Sequence, residues 1–125
     1  MDTVRNAINW FEIPASDFER ARAFYSAIYS QDMPTHTMGP HEMAFFACDR
    51  GGVGGAIIKG EGADPGPTGP IVYLNAGQDL TEILNRVPDA GGTIVLPKTR
   101  VTEEIGYIAM FIDTEGNRVA LHSPE

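Results

Sequence analysis

Residues 8–13 form a short apolar strand candidate, and over 18–28 the apolar positions return every three to four residues, with Phe18, Ala21, Phe24 or Tyr25 and Ile28 on one face. A strand, a tight connection and a helix over 18–29 are therefore predicted. The same succession recurs at 70–78 and 79–87, where Leu80, Ile83, Leu84 and Val87 form the second helical stripe. Ser16 with Glu19, and Asp79 with Glu82, have the spacing of capping boxes. Pro88 is expected to end or distort the second helix, and Gly91-Gly92 to terminate it. Three strand candidates follow each helix: 32–38, 42–48 and 53–59 in the first half, 93–97, 107–113 and 117–122 in the second.

Each half thus reads strand, helix, strand, strand, strand. Asp17 and Asp79 stand 62 positions apart and Gly52 and Gly116 stand 64 apart, so the register persists along the chain. One domain over 1–125 is expected, with a first module at about 7–60, a Gly- and Pro-rich linker at about 60–69 and a second module at about 70–123. With 42% hydrophobic and 21% charged residues, the 125-residue chain can fill a core and is not disordered. The balance of 9 basic against 17 acidic side chains gives a net charge of −8, with no cationic cluster, which argues against nucleic acid and anionic membranes. No apolar run approaches the roughly 20 residues that span a bilayer, and residues 1–6 lack the apolar stretch of a signal peptide. The single Cys48 excludes an intramolecular disulfide framework and fits a reducing compartment. A cytoplasmic protein is the expectation.

Three stretches carry a family likeness: Phe-Glu-Ile-Pro-Ala-Ser-Asp-Phe-Glu-Arg-Ala-Arg-Ala-Phe-Tyr at 11–25, Ala90-Gly91-Gly92 after the second helix, and Phe-Ile-Asp-Thr-Glu-Gly-Asn-Arg-Val-Ala-Leu-His at 111–122. On these the chain resembles the vicinal oxygen chelate superfamily of glyoxalase I, extradiol dioxygenases, fosfomycin-resistance enzymes and bleomycin-resistance proteins. The resemblance implies an α+β fold of two βαβββ modules, each a curved half-barrel sheet with its helix outside and a pocket inside. It also implies a homodimer, and an exposed edge and apolar inner face give an independent reason to expect one.

Metal-using members of that superfamily bind a divalent ion through His, Glu or Gln on the first and last strand of each module. Carried over, those positions fall on Trp10 and Ala56 in the first module and on Ile71 and Ala120 in the second. Indole, methyl and sec-butyl groups offer no lone pair to a cation, so no metal and no cofactor are expected. If the helix packs on the Phe11 side of the first strand, alternation turns Trp10 and Glu12 toward the pocket. The same parity turns Ile71, Tyr73 and Asn75 inward from the fifth strand and Arg118, Ala120 and His122 inward from the eighth. Trp10 and Tyr73 are candidate stacking surfaces, with core filling as the plainer role for Trp10. Asn75 and Arg118 are candidate polar contacts, Arg118 suiting a carboxylate. Glu12 and His122 are the candidate acid-base pair, against the plainer expectation that Glu12 pairs with Arg118 or His122 at a strand end.

His36, His41 and Glu42 flank the Gly39-Pro40 turn and are expected to be surface groups rather than a displaced metal site. Cys48 is expected to pack inertly at the end of an apolar strand. Gly51-Gly52-Val53-Gly54-Gly55 lacks the Gly-Lys-Ser/Thr of a phosphate loop and predicts a strand closely approached by another backbone or a ligand. The resulting expectation is a metal-free glyoxalase/bleomycin-resistance-like protein that binds a small amphipathic or aromatic molecule in a dimeric pocket. The alternatives are a lyase, isomerase or dioxygenase that uses Glu12 and His122 or a relocated metal, and an association module whose pocket has closed around Trp10.

Overall fold

Each half of the chain folds as a strand, a helix and three strands. The computed structural model describes residues 2–125. In the first half β1 (Trp10–Pro14) and α1 (Phe18–Tyr29) precede β2 (Thr35–Met38), β3 (His41–Phe45) and β4 (Gly54–Lys59). In the second, β5 (Tyr73–Asn75) and α2 (Thr81–Ala90) precede β6 (Thr93–Thr102), β7 (Gly106–Ile112) and β8 (Arg118–Ser123). The strands form two four-stranded mixed sheets in the orders β1-β4-β3-β2 and β5-β8-β7-β6, and neither closes into a barrel. In each sheet the first strand runs parallel to the last, pairing Glu12 with Ala56 and Tyr73 with Ala120.

Strand alternation divides the sheets as the sequence predicts. Ile13, Ala44 and Ile57 of the first sheet, and Leu74, Ala109, Phe111, Val119 and Leu121 of the second, are buried together with Phe24, Tyr25 and Ile28 of α1 and Leu84 and Val87 of α2. The helix-bearing sides of both sheets therefore share one core, in which the Phe24 and Phe111 rings lie 5.6 Å apart. Each fully buried side chain of this kind contributes roughly 1.5–3 kcal/mol by leaving water. The Gly-Gly run finds its reason here, because a Cβ at Gly55 would overlap the Phe11 ring packed on β4. At Gly55 the close neighbour is thus an aromatic side chain, whereas at Gly52 it is backbone, the Asp49 carbonyl oxygen 3.1 Å from where a Cβ would stand.

The helix termini depart from the expected capping boxes. Asp17, not Ser16, caps α1, its carboxylate accepting from Arg20 N at 3.1 Å. Ser16 is drawn instead to Glu115, whose Oε1 accepts from Ser16 N, Ser16 Oγ and Asp17 N at 3.0, 3.1 and 2.7 Å. Asp79 precedes the N-cap Leu80 of α2, binding Thr81 N and Lys98 Nζ, while Leu80 N donates to Ser123 Oγ. Pro88 lies within α2 and does not stop it. The helix ends at Gly91, whose φ of 108° lets Gly91 and Gly92 N–H donate to Pro88 and Val87 carbonyls. β6 continues through Pro97 to Thr102, well past its expected end, because an edge strand tolerates the missing N–H and the register shifts along its pairing with β7.

Burial pushes the Glu115 carboxyl up, but hydrogen bonds from Arg20, Asp17 N, Thr114 and Ser16 outweigh this and hold it down at about 2. The folded value lies below the unfolded one, so its stabilisation is complete above the ordinary carboxylate range near pH 4.5 and is lost as pH falls toward 2. Glu115→Gln is expected to lower stability by about 3 kcal/mol at pH 7, measured by denaturant unfolding. The same substitution should flatten the loss of stability between pH 5 and pH 2 that the wild-type chain shows.

Candidate ligand site

With one side of each sheet committed to the core, the opposite sides remain open. On the second sheet the open side carries Tyr73 and Asn75 from β5, Ile108 from β7, and Ala120 and His122 from β8, held in register by Tyr73↔Ala120, Asn75↔His122 and Ile108↔His122. These strands floor a cleft of about 800 Å³, walled by Val101 at the end of β6 and Ile105 in the β6–β7 turn. Its lining is mostly apolar with a few polar groups, the make-up of a small-molecule site.

Both polar floor residues are locally fixed. Asn75 Oδ1 accepts from Gly77 N at 2.9 Å, which sets the orientation of its amide. His122 Nε2 lies in hydrogen-bonding contact with the Ile105 carbonyl oxygen. A carbonyl only accepts, so Nε2 carries the proton and the ring ties the turn to β8. Behind β5, the Tyr29 hydroxyl donates to the Asn75 carbonyl oxygen at 2.9 Å, and burial pushes that hydroxyl's pKa up. The short strand is thereby pinned from α1.

Of the residues singled out in the sequence, Tyr73, Asn75 and His122 come together at this cleft. Ala120 is fully buried beside Tyr73, and Ile71 lies just before β5 at 36% exposure. Arg118 begins β8 opposite Ile112, two pleats from His122, and does not line the cleft. Trp10 and Glu12 lie on the open side of the first sheet. There Trp10 Nε1 donates to Glu12 Oε2 at 3.4 Å and its ring meets Phe45 edge-on at 6.1 Å. Within one chain Glu12 is therefore bonded to Trp10, not to Arg118 or His122. Trp10 is 44% exposed, so it does not fill the core.

The flanking candidates separate too. His36 pairs with Met43 and His41 with Met38, and His41 leans over Gly60 toward the Glu61 carbonyl at 3.3 Å. Cys48 is exposed beyond the end of β3, so it is not packed within a strand. Among the described residues no three His, Cys, Asp or Glu side chains gather closely enough to hold a metal ion. The four positions carried over from metal-binding relatives, Trp10, Ala56, Ile71 and Ala120, supply no donor.

Val101 and Ile105 were not legible as site residues. The only signal was two isolated apolar residues in the polar run 98–106, and Pro97 concealed that the strand extends that far. Register shifts near Ile94, Leu96 and Arg100 then turn its end over the cleft.

The sequence matches the model of the Glyoxalase/Bleomycin resistance protein/Dioxygenase superfamily over residues 7–121. Similar solved structures include a glyoxylase/bleomycin resistance protein/dioxygenase domain from Frankia sp. EAN1pec, with a TM-score of 0.70 at 13% identity over 98% of this chain and 100% of that one. A glyoxalase/bleomycin resistance protein from Albidiferax ferrireducens T118 has a TM-score of 0.64 at 16% identity, covering 94% of this chain and 98% of that one. Glyoxalase I from Zea mays has a TM-score of 0.69 at 16% identity over 91% of this chain, which spans 43% of the maize chain. These likenesses bear on the fold. No functionally curated protein is significantly similar in sequence.

Removing the ring at His122 should free the turn over the cleft. His122→Ala is expected to raise amide hydrogen exchange across residues 102–106 by roughly fivefold to tenfold, the worth of one ordinary hydrogen bond, with the core amides unchanged.

Proposed function

The chain belongs to the Glyoxalase/Bleomycin resistance protein/Dioxygenase superfamily, and from that premise we propose that it binds a small amphipathic or aromatic molecule, without a resident metal, in the cleft of the second sheet of a homodimer. The cleft itself carries this reading: about 800 Å³, floored by Tyr73, Asn75 and His122 and walled by Val101 and Ile105. Tyr73 is 49% exposed there and presents an aromatic surface to which a planar ligand can stack. The donor set supports metal-free binding, since the positions that would grip an ion are Trp10, Ala56, Ile71 and Ala120.

The open sides of the two sheets support pairing. The first leaves Trp10 and Met38 exposed and the second leaves Tyr73 and Val101, with Ile8 and Ile71 exposed just before β1 and β5. A sheet with one side in the core and apolar groups on the other gains by covering the second side. A second copy of the chain can do so without any new element, and the Trp10 face is then a natural cover for the cleft.

Native mass spectrometry of untagged protein tests the proposal in one measurement. The expected spectrum shows twice the 13.5 kDa chain mass, no stoichiometric metal, and a released small organic molecule. Trp10→Glu is expected to shift the assembly toward the single-chain mass. Stoichiometric nickel, zinc, iron or manganese would defeat metal-free binding, and a wild-type monomer would defeat the shared pocket.

A further inference from the structure

The hydrogen-bonding pattern on the cleft floor goes further than its shape. Asn75 and His122 are register partners on adjacent parallel strands, so their side chains rise from the same side of the sheet about 4.8 Å apart. Each is already half used. Asn75 Oδ1 is occupied by Gly77 N, which leaves the amide nitrogen, a donor only, with no protein partner among the described residues. His122 Nε2 is occupied by the Ile105 carbonyl, which leaves Nδ1 free, an acceptor whenever the ring carries a single proton. A backbone N–H and a backbone carbonyl fix the occupied ends, so neither side chain flips to exchange its two ends.

The middle of the cleft floor therefore offers one donor beside one acceptor, next to the Tyr73 ring, with the Gln78 amide also in the lining, and none of the lining residues is a lysine, arginine, aspartate or glutamate. We propose that the ligand is a neutral planar molecule with a carboxamide or lactam edge, whose carbonyl accepts from Asn75 and whose N–H donates to His122. This inference rests on the cleft being the binding site. A carboxylate of the same shape satisfies Asn75 but sets a second acceptor against the Nδ1 lone pair unless the ring takes up a second proton, and no lysine or arginine in the lining compensates.

Benzamide and benzoate, which differ in little but this edge, provide the test at pH 8 by protein-detected NMR titration. Benzamide is expected to shift the Tyr73, Asn75 and His122 resonances and to bind at least about tenfold more tightly than benzoate, the value of one well-made buried hydrogen bond. Asn75→Asp retains the acceptor for Gly77 N while removing the donor, so the fold is preserved and benzamide affinity should drop by a similar factor. A thermal melt matching the wild type confirms that this loss is local. Benzoate binding as tightly as benzamide, or benzamide binding unaffected by Asn75→Asp, overturns the donor-acceptor inference and leaves the cleft standing. Failure of both probes to perturb any cleft residue overturns the cleft as the site and the inference with it.

Discussion

Glu115 sits in the turn between β7 and β8, yet the groups that bind it belong to the far end of the chain. Its side chain is shut off from water and accepts from the backbone of Ser16 and Asp17, the Ser16 hydroxyl and the Arg20 guanidinium, which reaches it at 2.7 Å. Two residues to either side continue the grip. Asp113 accepts the buried Tyr25 hydroxyl at 2.7 Å, and Asn117 donates to the Pro14 carbonyl at 2.7 Å while accepting from Gly66 N. One five-residue turn thus holds β1, the start of α1 and the segment between the halves. A carboxylate this buried is stable only while those donors remain in place, so loss of the turn would weaken the junction between the two halves.

The rest of the architecture follows from that junction. Because the turn fixes α1 against the second half, Phe24 and Tyr25 pack on Phe111 and the helix-bearing sides of both sheets merge into a single core. The other sides are left facing away from it, one bearing Trp10 and Glu12 and the other bearing Tyr73, Asn75 and His122. The cleft is therefore a product of the sheet that holds the clasp. β8 begins directly after Asn117 and carries His122 at its far end, while Tyr29 of the clasped helix secures β5 through the Asn75 carbonyl.

Separation of the two open sides also changes how Glu12 and His122 are to be understood. Each lies on a strand at the parallel pairing of its own sheet, and alternation turns both away from the core. They occupy different sheets, and each has its own partner within the chain, Trp10 for one and Ile105 for the other. What remains on the second sheet is a cleft without lysine, arginine, aspartate or glutamate in its lining, in which backbone atoms set the orientations of Asn75 and His122.

Much of this was legible in the sequence. The apolar run at 8–13 and the 3.6-residue stripe of 18–28 set the first strand and helix, the repeat supplied those of the second half, and parity identified Tyr73, Asn75 and His122 as residues of one open side. These are local properties: a side chain's direction follows from the backbone that carries it. The extension of β6 through Pro97, the use of Asp17 as the cap, the pairing of Glu12 with Trp10 and the closure of the cleft by Val101 and Ile105 were not local. Ser16 has the spacing of a capping residue and forgoes that role because a carboxylate 99 positions away in the chain offers it a stronger bond. The sequence determined which way each side chain faces, and only the tertiary structure decided what meets it there, because contact partners depend on distances the chain defines after it has folded.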